Sequence, residues 1–212
     1  MLQKTAVHSF DVYGVLIDAN LVGEQIINLF QEVASGNLPE DEIKRRVTDY
    51  QSLLAKKESA LKDKPRILSD VYKYAINRGA TIDLSKALYG DALQTMVGIL
   101  DAKEQVATLG SQAFDTNYLP DEIARRMIGS FAGNKSESAA FAKLERLVGD
   151  GHRLISHTED GLIELRAAAT FGIPRNNLVY VDRDNSSKEN TECVGFSVAS
   201  TLTPQIYLTM DY

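Results

Sequence analysis

A single cysteine, Cys193, leaves the chain with no internal disulfide, which fits a reducing compartment. No apolar run approaches the roughly 20 residues that a membrane-spanning helix needs. The first residues carry no cationic flank followed by an apolar core, so no signal peptide is expected. Basic residues are outnumbered, 23 Lys and Arg against 29 Asp and Glu, and the net charge of -6 speaks against nucleic acid. The basic run at 56–64 is interrupted by Glu58 and Asp63 and reads as a solvated face. These scarcities point to a cytoplasmic protein and away from membrane and nucleic-acid partners; they leave the oligomeric state open.

What is present is ordinary for a globular chain: 44% hydrophobic and 25% charged residues over 212 positions, enough for one core with a modest insertion. The stretch that organises it is Val7 to Asp18. An apolar approach (Ala6, Val7, Phe10) ends at Asp11, and Gly14 lets the backbone turn sharply. In parallel α/β sheets ligands collect at the carboxyl ends of strands, so Asp11 is a candidate nucleophile or metal ligand. An Asp in a strand-to-loop turn also serves as a plain turn residue.

Phe10-Asp11-Val12-Tyr13-Gly14-Val15-Leu16-Ile17-Asp18 resembles the first motif of the haloacid dehalogenase (HAD) superfamily, apolar-Asp-x-x-Gly-Thr-Leu-x-Asp. The resemblance implies that Asp11 attacks carbon or phosphorus to form a covalent ester, splitting one hard displacement into two. The chain departs from the motif at Val15, where nearly all members have Thr, and at Tyr13, where phosphatases of the superfamily carry a second Asp. A Tyr there is what the 2-haloacid dehalogenase branch shows.

Three further segments follow in the superfamily's order. Val106-Ala107-Thr108-Leu109-Gly110-Ser111 looks like the second motif, with Thr108 in the hydroxyl position and Gly110 opening the loop toward substrate. Lys135 precedes an amphipathic helix with Ala140, Phe141, Leu144 and Leu147 on one face. An ammonium near a helix start opposes the dipole, a cost explained if it points at the Asp11 carboxylate and substrate. Gly133 to Leu144 resembles the third motif of the enolase-phosphatase branch. Asp160 to Gly172, an acid followed by an Ala-rich helix, resembles the fourth. Glu159-Asp160 as vicinal acids suit Mg2+, which takes oxygen ligands; a carboxylate at a helix start is also a plain N-cap. A rival fourth motif is Asp182 with Asp184. It is disfavoured because 186–194 makes a poor amphipathic helix and Lys135 would lose its role.

The span from 20 to 85 reads as helical, with helices at 21–33, from Pro39 onward, and at 67–78. The expected architecture is an α/β, doubly wound, Rossmann-like core of the HAD type, residues 1–19 and 86–212. Its parallel strands fall near 5–11, 105–109, 153–157, 178–183 and 196–199, and a helical cap at 20–85 is inserted after the first. On this reading Asp11, Tyr13, Thr108 and Lys135 are catalytic, and Asp11, Asp160 and the Tyr13 carbonyl hold metal. Arg45 and Arg46, beside Lys44, bind an anionic substrate from the cap. The expected function is hydrolysis of a small anionic substrate, a phosphate ester with Mg2+. The alternatives are metal-free carbon–halogen hydrolysis and a HAD-fold binding protein without turnover. His8 is expected beside the site, His157 on the strand as a neighbour or a surface residue, and Cys193 as structural.

Overall fold

The computed structural model describes residues 4–18, 83–111, 113–183 and 195–210, and residues 21–25, 28, 31, 36, 39, 41, 44 and 45 between them. Chain contacts divide the protein into two compact units, Met1–Asp18 with Leu88–Tyr212, and Ala19–Ala87. In the second unit residues 21–25 are helical and Leu84–Ala87 forms a 3-10 turn; Gln25 accepts from the Asp83 N–H and donates to its carbonyl. The helix expected at 67–78 lies outside the described residues, as do Arg46, Asp184 and Cys193.

The first unit is built on six parallel strands: β1 (Thr5–Phe10), β2 (Gln105–Gly110), β3 (Gly129–Ala132), β4 (His152–Glu159), β5 (Leu178–Val181) and β6 (Ser197–Ala199). Their order is β3-β2-β1-β4-β5-β6. The central strands are buried almost throughout because helices cover both faces, and they carry polar residues such as His8, Ser9, Ser156 and His157 that hydrogen-bond one another. The core helices are α1 (Gly90–Asp101), α2 (Asp121–Ala124), α3 (Ser138–Val148), α4 (Leu162–Phe171) and α5 (Pro204–Leu208).

One face of the sheet packs Val7, Ala107, Leu109, Leu154 and Leu178 against Phe141 and Leu144 of α3 and Leu165 and Ala168 of α4. The other face carries His8, Phe10 and Thr158 against Tyr207 of α5, whose ring centroid lies 5.2 Å from that of Phe10. Helix α3 turns Ala140, Phe141 and Leu144 inward as expected, with Val148 buried in place of Leu147, which is exposed. The Leu84–Ala87 turn and α1 are separated at Leu88-Tyr89, where Leu88 bridges Ile17 and the Tyr89 N–H donates to the Leu16 carbonyl. Strand β3 was absent from the sequence expectation.

The register between β1 and β4 shifts by one residue. Val7 pairs with Leu154 but His8 pairs with Ser156, so Ile155 is an extra residue in β4. From there on His8, Phe10, Ser156 and Thr158 share one face, and Ser9, His157 and Glu159 the other.

Candidate active site

Strands β1 and β4 are neighbours and end side by side, which brings Asp11 next to Glu159 and Asp160. Carboxylate oxygens of these three residues lie within 4.8 Å of one another. Asp11 is buried, its N–H donating to the Thr158 carbonyl at 2.9 Å. The Lys135 ammonium sits between the acids, ion-paired to Asp11 and 2.6 Å from Glu159 Oε2.

The loop that delivers this lysine is shaped locally. The Gly133 N–H donates to the carbonyl of Gly110, tying the segment to the end of β2. Asn134 then organises the turn: its Nδ2 donates to Glu137 Oε1 at 2.7 Å, and its Oδ1 accepts from the Ser136 hydroxyl at 2.8 Å. Helix α3 begins only at Ser138, so Lys135 stands in the turn before it, aimed across the sheet edge.

Gly14 makes the closest backbone approach. Its φ of +84 lies in the region that favours glycine, and a Cβ there would overlap Asp160 Oδ2. The turn is closed by Leu16 and Ile17 N–H groups on the Val12 carbonyl and by the Gly14 N–H on that of Ile17.

The electrostatics are lopsided, with three carboxylates against one ammonium. Burial first, and then the charge on Asp11, push the Glu159 carboxyl well above its ordinary value against the pull of Lys135. Burial and Asp11 raise Asp160 as well. Burial works against the Lys135 charge, but Glu159 and Asp11 outweigh it and hold the ammonium more firmly than in water. His157, fully buried behind Glu159 with Nε2 3.3 Å from Oε2, is held neutral, its pKa lowered to about 3 by burial and by Lys135. Its Nδ1 lies 2.9 Å from the Ser9 hydroxyl.

This donor set fits a hard divalent cation. Oxygen ligands converge from three residues, carboxyl groups outnumber the ammonium three to one, and a glycine backbone leaves Asp160 room at the turn.

Not every expected residue joins the cluster. Thr108 pairs with Phe10 rather than with Asp11, and strand alternation places its side chain on the Phe10–Tyr207 face. There it is fully buried, with Oγ1 unpartnered. Gly110 ends β2 and holds Gly133 as described. Tyr13 is half exposed beside the cluster. Asp182 ends β5, one strand farther from β1, and is not among the three clustered acids. Lys44 and Arg45 are exposed in the second unit. His8 belongs to the opposite face, 2.7 Å from both Ser156 Oγ and Glu104 Oε2, which corrects its expected place beside the site. Glu159, expected only as the acid beside Asp160, and His157, expected as a neighbour or a surface residue, are both buried at the site, where Glu159 pairs with Lys135 and His157 lies behind it.

The doubly wound parallel sheet has the haloacid dehalogenase-like fold, as the comparisons with solved structures show. No protein-family model and no curated protein matches the chain. Solved structures do. It is similar to a HAD phosphatase from Thermococcus onnurineus (15% identity, 94% of each chain covered, TM-score 0.59). A 2-haloacid dehalogenase from Pseudomonas syringae pv. Tomato matches at 13% identity, over 95% of this chain and 97% of that one, with a TM-score of 0.54. A Bacillus subtilis chain described as a HAD-hydrolase bound to magnesium matches at 12% identity, 94% and 96% coverage and a TM-score of 0.58. At these identities the likeness establishes the fold.

Proposed function

We propose that the protein is a HAD-type hydrolase that uses Asp11 as nucleophile on a small anionic substrate, a phosphate monoester, with Mg2+ held by Asp11, Glu159 and Asp160. The observation that carries this reading is the convergence of those three carboxylates on one lysine. A magnesium ion there would supply charge neutralisation for the transferring group. The described magnesium-bound neighbour supports that choice of cation.

The chain's own groups divide the remaining work. An Asp11 oxygen forms the new bond to phosphorus as the bond to the ester oxygen breaks, and the alcohol leaves with a proton drawn from water. A water molecule then attacks the phosphorus, frees the Asp11 carboxylate and releases phosphate. Lys135 orients Asp11 and attracts the anion; in such transfers positioning and charge neutralisation supply most of the rate. Glu159 fixes Lys135 from the other side.

A second reading, carbon–halogen hydrolysis by the same nucleophile without metal, is favoured by Tyr13, which stands half exposed where phosphatases carry an acid. Phosphate release from a panel of small phosphomonoesters, with and without Mg2+, separates the two. The expected result is metal-dependent release that vanishes in Asp11→Asn. Silence on phosphoesters with halide release from 2-haloacids would establish the second reading. Silence on both would leave a HAD-fold binding protein.

A further inference from the structure

The turn that carries Asp11 and Gly14 is shaped by its own backbone bonds, but these do not tie it to the rest of the core. Arg183 does. It follows Asp182 at the end of β5, and its Nη2 donates to the Val15 carbonyl at 3.0 Å. Its Nη1 donates to Asp91 Oδ2 at 2.5 Å in the first turn of α1 and to the Ser200 carbonyl at 3.3 Å beyond β6. The guanidinium lies 4.0 Å over the ring of Tyr89, whose N–H holds the next carbonyl of the turn, Leu16. Asp91 is fixed in turn by the Leu202 N–H at 2.7 Å. The Val15 side chain is fully buried and offers no hydrogen bond, so position 15 is anchored through its carbonyl.

We propose that Arg183 is a positioning residue for the 12–17 turn: its contacts with Val15, Asp91 and Tyr89 hold Gly14 and Asp11 against Asp160. The proposal rests on the site reading given above. A rigid planar fork satisfies acceptors from three segments at once, which a lysine ammonium on a flexible stem does not. Loosening the turn moves Asp11 and the Gly14 backbone relative to Asp160, and so weakens the shared oxygen site without touching any of its ligands. The effect belongs with the 10–100-fold losses in metal affinity that follow loss of outer supporting contacts.

The test is hydrogen exchange of the native protein, read at the amides of Gly14, Leu16 and Ile17, beside Mg2+ titration calorimetry. In Arg183→Leu those three amides are expected to exchange at least about tenfold faster while amides in β2 and β4 keep their rates, and Mg2+ binding is expected to weaken by about tenfold. Arg183→Lys recovers part of both effects. Asp91→Asn, which keeps an acceptor for the Leu202 N–H, gives a smaller change in the same direction if the leucine variant does not fold. Unchanged turn amides, or an equal acceleration throughout the sheet, would overturn the proposal. A wild type that binds no Mg2+ would refute the metal site, and the exchange contrast would still decide the role of Arg183.

Discussion

Replacing Lys135 by methionine tests the electrostatic design of the site most directly. The lysine side chain is 12% exposed and neutralises Asp11 and Glu159, whose side chains are 9% and 2% exposed. Removing one member of such a buried set strands the others, a cost of about 3–5 kcal/mol. For a chain of this size each kcal/mol moves Tm by about 2–4 °C, so the variant should melt about 6–20 °C lower at pH 7.5. The pH dependence carries the sign. Burial already raises Glu159 above its ordinary value of 4.5, and loss of the ammonium raises it further. The folded state then holds a proton that the unfolded state has released, so the deficit is largest above the folded pKa and shrinks as pH falls toward 4.5. Saturating Mg2+ should recover part of the loss, about 2.7 kcal/mol at a hundredfold excess over Kd. Thermal melts of both proteins at pH 7.5 and pH 5, with and without Mg2+, provide the assay. A deficit under about 2 °C at pH 7.5, or one that is equal at both pH values, would refute the claim that the lysine acts through its charge.

Three other substitutions probe the geometry. Gly14→Ala places a Cβ on Asp160 Oδ2 and a side chain at φ +84, so it should cost about 1–3 kcal/mol and weaken Mg2+ binding, read by denaturant melts and calorimetry. Asp160→Asn should abolish measurable Mg2+ binding while Asp182→Asn leaves it intact; equal losses in both would contradict the assignment of the site to β4.

The parts legible in the sequence were those written in one segment. The apolar approach Ala6, Val7 and Phe10 ending at Asp11 announces a buried strand, whereas in β4 only Leu154 and Ile155 are apolar and the buried polar residues around them are satisfied by hydrogen bonds to neighbours no local pattern reveals. Strand β3 was not legible, because Gly129-Ser130-Phe131-Ala132 is a short, half-exposed edge with no alternation. Thr108 shows a second limit. Its hydroxyl lies near the end of a strand, but which way it points depends on a register that pairs it with Phe10, and register is a property of two strands. Asp160 and Asp182 likewise look alike in sequence; which of them comes near Asp11 depends on the strand beside β1, and that strand is β4. Arg183 had no local signature at all: Val15 and Asp91 lie 168 and 92 positions away.

The extra residue at Ile155 gives β4 two phases. Counted from Leu154, which faces α3, unbroken alternation would send Ser156 and Thr158 to the same side and turn His157 and Glu159 toward Tyr207. The inserted residue reverses that assignment from Ser156 onward. Chemistry in this strand is therefore set by a reading frame, much as codons are. Deleting Ile155 would leave a regular strand with Ser156 still opposite His8, so every side chain would keep its side; ironing out the bulge with Ile155 retained would instead exchange a carboxylate and an imidazole at the Asp11 edge for two hydroxyls. A lineage carrying this fold keeps the facing of Glu159 and His157 through such an insertion only where a bulge takes up the extra residue.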